Sequence, residues 1–404
     1  MKRKILFVDD ELQILEGLRV RLHRLRDKWE MAFAESGEKA LACLAGDRFD
    51  VIVTDMRMPG MDGAALLQRV QAEFPDVARI VLSGHSEFES SLRAAAVAHQ
   101  FLNKPSEPGA IEDAVERACG LRSLIGQETL RRVVGGIGKL PSVPRVYSQL
   151  LSALADDGAS VAEVAAILKQ DMAVSAKTLQ LANSAFFRLA KTVSKVEEAV
   201  AFLGLETIKQ VVLAVEVFGD QAARGRSVIP IEELQAHAML VADVAASLFG
   251  RRGEREDAAV AGLLHDVGKL ILSVELPDRV AGILRRMSDE GISMHVAEEQ
   301  ELGVTHAEVG GYLLGLWGLP YPIVEAVANH HAPSRVDCSD FGLLAAVHVA
   351  DGLVHGVAGR AESEESDTRY LDMDFLGQVG VRDRLRDWIG TTRKIVEAHG
   401  PRHG

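Results

Sequence analysis

The 404-residue sequence predicts a multidomain chain in which a doubly wound α/β domain with a five-stranded parallel sheet precedes an all-α region. Three observations predict it. Within residues 1–120, short apolar runs alternate with amphipathic stretches, the pattern of a parallel sheet covered by helices on both faces. After Gly135-Gly136 the strand signal stops, and helical periodicity continues to about residue 358. Aromatic residues make up only 5% of the chain, so its cores must be built from Leu, Val, Ile and Ala, which suits helices and small parallel sheets.

Strands are expected at Ile5–Val8, Met31–Ala34, Val51–Thr54, Ile80–Leu82 and Gln100–Leu102, with helices near 12–26, 37–45, 63–73, 87–98 and 108–121. Residues 1–120 form the first domain and 121–135 a helical connector. Residues 136–335 form the helical domain, and 336–404 a C-terminal helical extension with an acidic loop near 360–367 and a last helix near 382–398. Ser160–Glu163 and Ser194–Glu197 read as capping boxes, in which a serine caps the first turn and a glutamate reaches back.

The net charge is −13, and both parts share it: residues 1–120 hold 16 basic and 20 acidic residues, leaving 29 and 38 for the remainder. Such a surface repels a phosphate backbone, and the pairs Arg131-Arg132 and Arg251-Arg252 are too short to offset it, so no DNA partner is expected. The three cysteines have no disulfide or metal spacing and read as small hydrophobes in a reducing compartment. No apolar run approaches the roughly 20 residues that cross a bilayer. A soluble, cytoplasmic protein without a membrane partner is the expectation.

A parallel sheet gathers its functional residues at the carboxyl ends of its strands. Asp9 and Asp10 end the first predicted strand, Asp55 the third, Ser83 the fourth and Lys104 the fifth. Alone, each has a bland reading as a cap, a turn or a surface charge; together at one sheet edge they suit phosphoryl transfer. A carboxylate such as Asp55 can attack phosphorus. Crowded aspartates with one backbone carbonyl suit Mg²⁺, while Lys104 and Ser83 supply a cation and a hydroxyl for phosphate oxygens.

These residues carry a resemblance. Asp9-Asp10, the segment Asp55-Met56-Arg57-Met58-Pro59-Gly60-Met61-Asp62-Gly63, Ser83-Gly84 and Lys104-Pro105 resemble the receiver domain of two-component response regulators, whose sheet is flavodoxin-like. The resemblance implies Asp55 as phosphoacceptor and Mg²⁺ on Asp10, Asp55 and the carbonyl of Arg57, with Asp9 nearby. It implies Ser83 and Lys104 as phosphate ligands, Ser83 and Phe101 as switch residues, and a sensor histidine kinase as partner. It also implies a homodimer through the receiver.

In the second half, histidines concentrate between Ala236 and His355, several of them beside acids: His237 with Glu233 one turn earlier, His265-Asp266, His306, His330-His331 and Asp351. Imidazole and carboxylate together suit Fe, Mn or Zn, and Lys269 beside the doublet could hold a substrate phosphate. Taken singly, each histidine reads as a satisfied core or surface residue. Gln170-Asp171-Met172-Ala173, Leu181-Ala182-Asn183-Ser184-Ala185-Phe186-Phe187 and Gly262-Leu263-Leu264-His265-Asp266-Val267-Gly268-Lys269, with His306 and His330-His331, resemble an HDOD domain, an offshoot of the HD metal-dependent phosphohydrolases.

The resemblance implies an output that acts on a downstream signalling protein without catalysis. The histidine series also follows the order of the HD-GYP cyclic di-GMP phosphodiesterases, which implies as alternatives a receiver-gated phosphohydrolase or a sensor of a cyclic dinucleotide. Against catalysis of that kind, Ala332-Pro333-Ser334-Arg335 stands where those enzymes place Glu and a Gly-Tyr-Pro loop.

Overall fold

The structure, a computed structural model, describes residues 2–83, 94, 97–104, 108–121, 124–137, 140, 144–155, 159–183, 192–205, 207–208, 227–358 and 368–399. Most of the helix expected near 87–98, the acidic stretch 360–367, and Gly84, Pro105 and the 184–187 part of the second motif lie outside them.

Residues 2–120 build a five-stranded parallel sheet in the order β2-β1-β3-β4-β5. The strands are β1 (Arg3–Val8), β2 (Trp29–Ala34), β3 (Val51–Asp55), β4 (Ala78–Ser83) and β5 (Gln100–Asn103). The central strands β3 and β4 are buried along their whole lengths, as sheets covered on both faces require. Helices α1 (Leu12–Leu22), α2 (Gly37–Gly46), α3 (Gly63–Glu73) and α4 (Pro108–Gly120) pack around it. The stretch expected as one helix near 12–26 ends at Leu22 and finishes as a tighter 3₁₀ turn over His23–Leu25. At Gly63, where α3 starts, a Cβ would lie 2.1 Å from the Asp55 carbonyl oxygen, so only glycine lets the helix begin that close to the strand end.

The regular elements described beyond β5 are all helices. A short helix α5 (Glu128–Gly135) leads into α6 (Pro144–Ala155), α7 (Val161–Leu168), α8 (Met172–Ala182) and α9 (Val196–Leu203). The larger helical body then comprises α10 (Ile231–Ser247), α11 (Arg252–Leu264), α12 (Val267–Glu275), α13 (Pro277–Glu290), α14 (Met294–Leu302), α15 (His306–Leu316), α16 (Tyr321–Asn329) and α17 (Leu343–Ala358). Helix α18 (Met373–Gln378) follows, and α19 (Leu385–His399) packs back on α10 and α17.

Ser160 caps α7 through Glu163 N–H, which is one half of the box predicted there. The second predicted box does not form. Lys195, not Ser194, is the N-cap of α9, and the Ser194 hydroxyl is drawn away to Asp257. The reciprocal box lies instead at Thr305 and Glu308, at the start of α15.

Candidate functional site

Two clusters of titratable side chains stand out, one at the sheet edge and one among the helices. At the sheet edge, Asp9 is 1% and Asp55 6% exposed. Lys104 Nζ lies 2.6 Å from Asp9 Oδ2 and also pairs with Asp55 Oδ1. Burial pushes the Asp55 carboxyl up, with the Lys104 ammonium opposing the shift. Burial likewise works against the charge of Lys104, but its bonds to Asp55 and Asp9 carry its pKa above the usual lysine value.

The backbone N–H of Arg57 donates to Asp55 Oδ2 at 2.9 Å, and that of Glu11 to Asp9 Oδ1 at 3.0 Å, so both carboxylates are held in place. Asp10 is exposed and, with Met56, Arg57, Met58, Pro59 and Asp62, lines an open recess of about 400 Å³. Ser83 Oγ is buried with no hydrogen-bond partner among the described residues. Phe101, on β5, is buried at 4% exposure.

In the helical body, residues from five segments converge. His237 comes from α10, His265 and Asp266 from the junction of α11 and α12, His306 from the first turn of α15, His330 and His331 from the end of α16, and Asp351 from α17. Gly268 makes the convergence possible, because a Cβ there would lie 1.9 Å from the His306 carbonyl oxygen.

Two groups result, Asp266 with His306, His330 and His331, and His237 with His265 and Asp351; within each, the ligand atoms lie within 4.8 Å of one another. Asp266 faces both. Its Oδ1 is 3.3 Å from His306 Nε2 and 4.0 Å from His330 Nε2, and its Oδ2 is 3.3 Å from His265 Nε2 and 3.8 Å from His237 Nε2.

The far ring nitrogens are tied down. His265 Nδ1 reaches the Gly262 carbonyl at 2.6 Å, His330 Nδ1 the Val327 carbonyl at 2.8 Å, and His306 Nδ1 the Glu298 carboxylate at 2.6 Å. That leaves Nε2 of each ring aimed inward, the arrangement metal-ligating imidazoles adopt. His265 Nε2, His330 Nε2 and Asp266 Oδ1 are all buried with no hydrogen-bond partner among the described residues. Orphaned buried nitrogen and carboxylate atoms that face one another fit a pair of cations of the Fe, Mn or Zn kind.

Electrostatics follow the packing. Burial holds His330 and His331 well below the ordinary imidazole value, which favours the neutral, ligating form. His265 is carried the other way, up to about 10, because Asp266 and Asp351 outweigh its burial. Asp266 is itself held well below the carboxylate range against its burial, by His265 and Lys269.

Glu233, one turn before His237, is exposed and belongs to neither group. Lys269 Nζ does not stand free for a substrate phosphate; it is committed to Asp266 Oδ2 at 2.7 Å. After His331 the chain enters a 3₁₀ turn, Pro333–Arg335, whose Arg335 pairs with Glu308 at 3.0 Å. Sequence reasoning missed Glu298 and His355. His355 Nδ1 lies 3.0 Å from Asp351 Oδ1, and its i+4 spacing from Asp351 was a readable signal; nothing in the spacing of Glu298 pointed to His306.

Residues 5–116 match the response regulator receiver domain, and residues 140–333 match the HDOD domain. The chain is a response regulator with an HDOD output domain. Among relatives of this response regulator, an uncharacterized protein of Treponema pallidum is 25% identical over 265 residues, covering 65% of this chain and 50% of that protein. The hydrogenase transcriptional regulatory protein HoxA of Bradyrhizobium diazoefficiens is 34% identical over 155 residues, covering 36% of this chain and 31% of HoxA. The chain therefore spans half or less of the length of these curated relatives. A solved virulence factor from Campylobacter jejuni has a TM-score of 0.51 at 17% identity, covering 67% of this chain and 97% of that one, a likeness of fold alone. Receiver domains generally use Mg²⁺, and HD-type domains bind metals. No helix among the described residues is long and apolar enough to cross a membrane.

Proposed function

We propose that this response regulator accepts a phosphoryl group on Asp55 from a sensor histidine kinase and thereby controls how its HDOD domain engages a downstream signalling protein in the cytoplasm. The observation that carries the reading is the buried meeting of Asp9, Asp55 and Lys104, with the partnerless Ser83 hydroxyl on the neighbouring strand. Asp10, Asp55 and the Arg57 carbonyl would hold Mg²⁺, with Asp9 nearby, and the ion supplies charge compensation for an incoming phosphate. An Asp55 oxygen attacks phosphorus while the donor leaves with its bonding electrons. Lys104 then turns from the carboxylates to the new phosphate oxygens, and the partnerless Ser83 hydroxyl gains one as its acceptor. A phosphate adds about −1.5 to −2 charge, and one to three new charge-assisted bonds can shift a two-state population by roughly ten- to a hundredfold. Acetyl phosphate with Mg²⁺ should label wild-type protein and leave Asp55→Asn unlabelled; equal labelling of both removes Asp55 from the role.

A second reading rests on the convergence of His237, His265, Asp266, His306, His330, His331 and Asp351. We infer that these residues hold one or two Fe, Mn or Zn ions, which supply an activated water for hydrolysis of a phosphodiester such as a cyclic dinucleotide. The chain's own part is to aim the imidazoles, through Gly262, Val327 and Glu298, and to keep His330 and His331 neutral by burying them. Metal-replete protein made without a His tag should contain the ion and turn over a diester. Metal without turnover, but with calorimetric binding of the dinucleotide, would mark a sensor instead, and an ion-free protein leaves the interaction role alone.

A further inference from the structure

The same two strands that end at Ser83 and at Asn103, just before Lys104, begin against the HDOD domain. Near the start of β4, Arg79 is fully buried. Its guanidinium donates to the Val97 carbonyl at 2.5 Å and to the Gly135 carbonyl, at the end of α5, at 2.6 Å, and it meets His99 Nε2 at 2.9 Å. Its backbone N–H donates to His99 Nδ1 at 3.0 Å. From the other side, Gln180 on α8 donates to the carbonyls of Ala98 and His99, both at 3.2 Å. One turn earlier on α8, Lys177 Nζ stands 4.7 Å from the ring centre of Trp317, which follows α15. Lys177, Gln180, Trp317 and His99 are each at most 3% exposed.

This seam is unusual in kind. Permanent contacts between domains are mostly apolar, because burying a guanidinium or an ammonium forfeits its hydration. The bonds that cross the seam are directional, from Gln180 to the Ala98 and His99 carbonyls and from Arg79 to the Gly135 carbonyl, with Lys177 held over Trp317 on the helical side, and these polar groups regain water when it opens. Such a contact separates at less cost than an apolar one of equal area.

Its position couples it to the phosphate site. Ser83 lies four residues beyond Arg79 on β4, and Lys104 five beyond His99, and the strands are joined in register from Ile80 with Gln100 to Ser83 with Asn103. At about 3.3 Å per residue, roughly 13 Å of paired strand separates the two ends.

We propose that the Arg79–His99–Gln180–Lys177 seam is a latch that holds the HDOD domain against the receiver and that phosphorylation of Asp55 opens it. The proposal rests on the phosphoacceptor reading above. A phosphoryl group on Asp55 draws Ser83 and Lys104 onto its oxygens. The pull on the carboxyl ends of β4 and β5 shifts the backbone carbonyls of Ala98 and His99 away from Gln180. Helix α8 and the connector helix α5 are then released together.

Hydrogen exchange followed by mass spectrometry on the full chain, with Mg²⁺ and with or without beryllofluoride, tests this. Beryllofluoride should protect 78–83 and speed exchange over 128–135 and 172–182 by roughly five- to a hundredfold, the span of an allosteric coupling. Asp55→Asn should show neither change, and Gln180→Ala should show the faster exchange over 172–182 without beryllofluoride. Protection of 78–83 with unchanged exchange over 128–135 and 172–182 would overturn the latch while sparing the phosphoacceptor. Absence of both effects would overturn the phosphoacceptor, and the latch with it. The wild-type comparison stands by itself should Gln180→Ala fail to fold.

Discussion

Glu298 Oε2 lies 2.6 Å from His306 Nδ1, with both side chains fully buried, and the same oxygen accepts the backbone N–H of His306 at 2.8 Å. The carboxylate therefore fixes both the ring and the helix start behind one proposed metal ligand. Loss of such a supporting partner commonly weakens metal binding by about 10- to 100-fold. Glu298→Gln should show that drop for Mn²⁺ or Zn²⁺ in equilibrium dialysis while its circular dichroism stays native. Unchanged affinity would reduce Glu298 to a helix-start residue.

Asp266 presents one oxygen to each group of histidines, whereas Asp351 serves the His237–His265 side and lies 3.9 Å from His331. Asp266→Asn should therefore empty both positions, and Asp351→Asn mainly the one beside His237. Elemental analysis of untagged protein gives the stoichiometry. Equal loss in both variants would mean a single shared ion.

Lys104 pairs with two buried carboxylates at the sheet edge. A hydrogen bond to a charged group is worth about 1.5–3 kcal/mol, so Lys104→Met should slow labelling of Asp55 by acetyl phosphate roughly tenfold or more. Ser83→Ala removes a neutral donor and should cost less. A rate in Lys104→Met equal to wild type would place the phosphate elsewhere.

The latch should also respond to pH. Burial pulls Lys177 from 10.5 down to about 7, with Arg79 adding to the shift. His99, pushed well below the usual imidazole value chiefly by its burial, stays neutral beside it. Between these two pKa values the unfolded chain holds a proton at this lysine that the folded chain lacks, so stability rises with pH from about 7 to about 10 and is flat below. Urea titrations across that range should show wild type gaining on Lys177→Met as pH climbs. Parallel curves would mean that Lys177 keeps its proton when buried.

Thr305 caps α15 reciprocally with Glu308, one residue before His306. Thr305→Ala should lower stability by about 0.5–2 kcal/mol in urea unfolding, with little change in the receiver's labelling. A loss of labelling would show that the cap reaches across the domain boundary.

The sheet and the cluster at its edge were legible because both depend on local patterns. Short continuous apolar runs place the strands, and the parallel arrangement puts Asp9, Asp55, Ser83 and Lys104 at one end of them whatever the side chains do elsewhere. The candidate histidine ligands were legible as residue types, since imidazole beside carboxylate is chemically distinctive. Their grouping was not. Asp266 bridges two sets because Gly268 lets α12 press on the His306 backbone, a contact between segments some 40 residues apart. The Ser194 box failed for the same kind of reason: a local capping preference of about 1 kcal/mol loses to a tertiary acceptor such as Asp257. Glu298 and the Arg79–Lys177 seam left no trace in spacing. A buried polar partner is chosen by which surfaces meet in three dimensions, and the energy of that choice depends on desolvation, which exists only once the chain has packed.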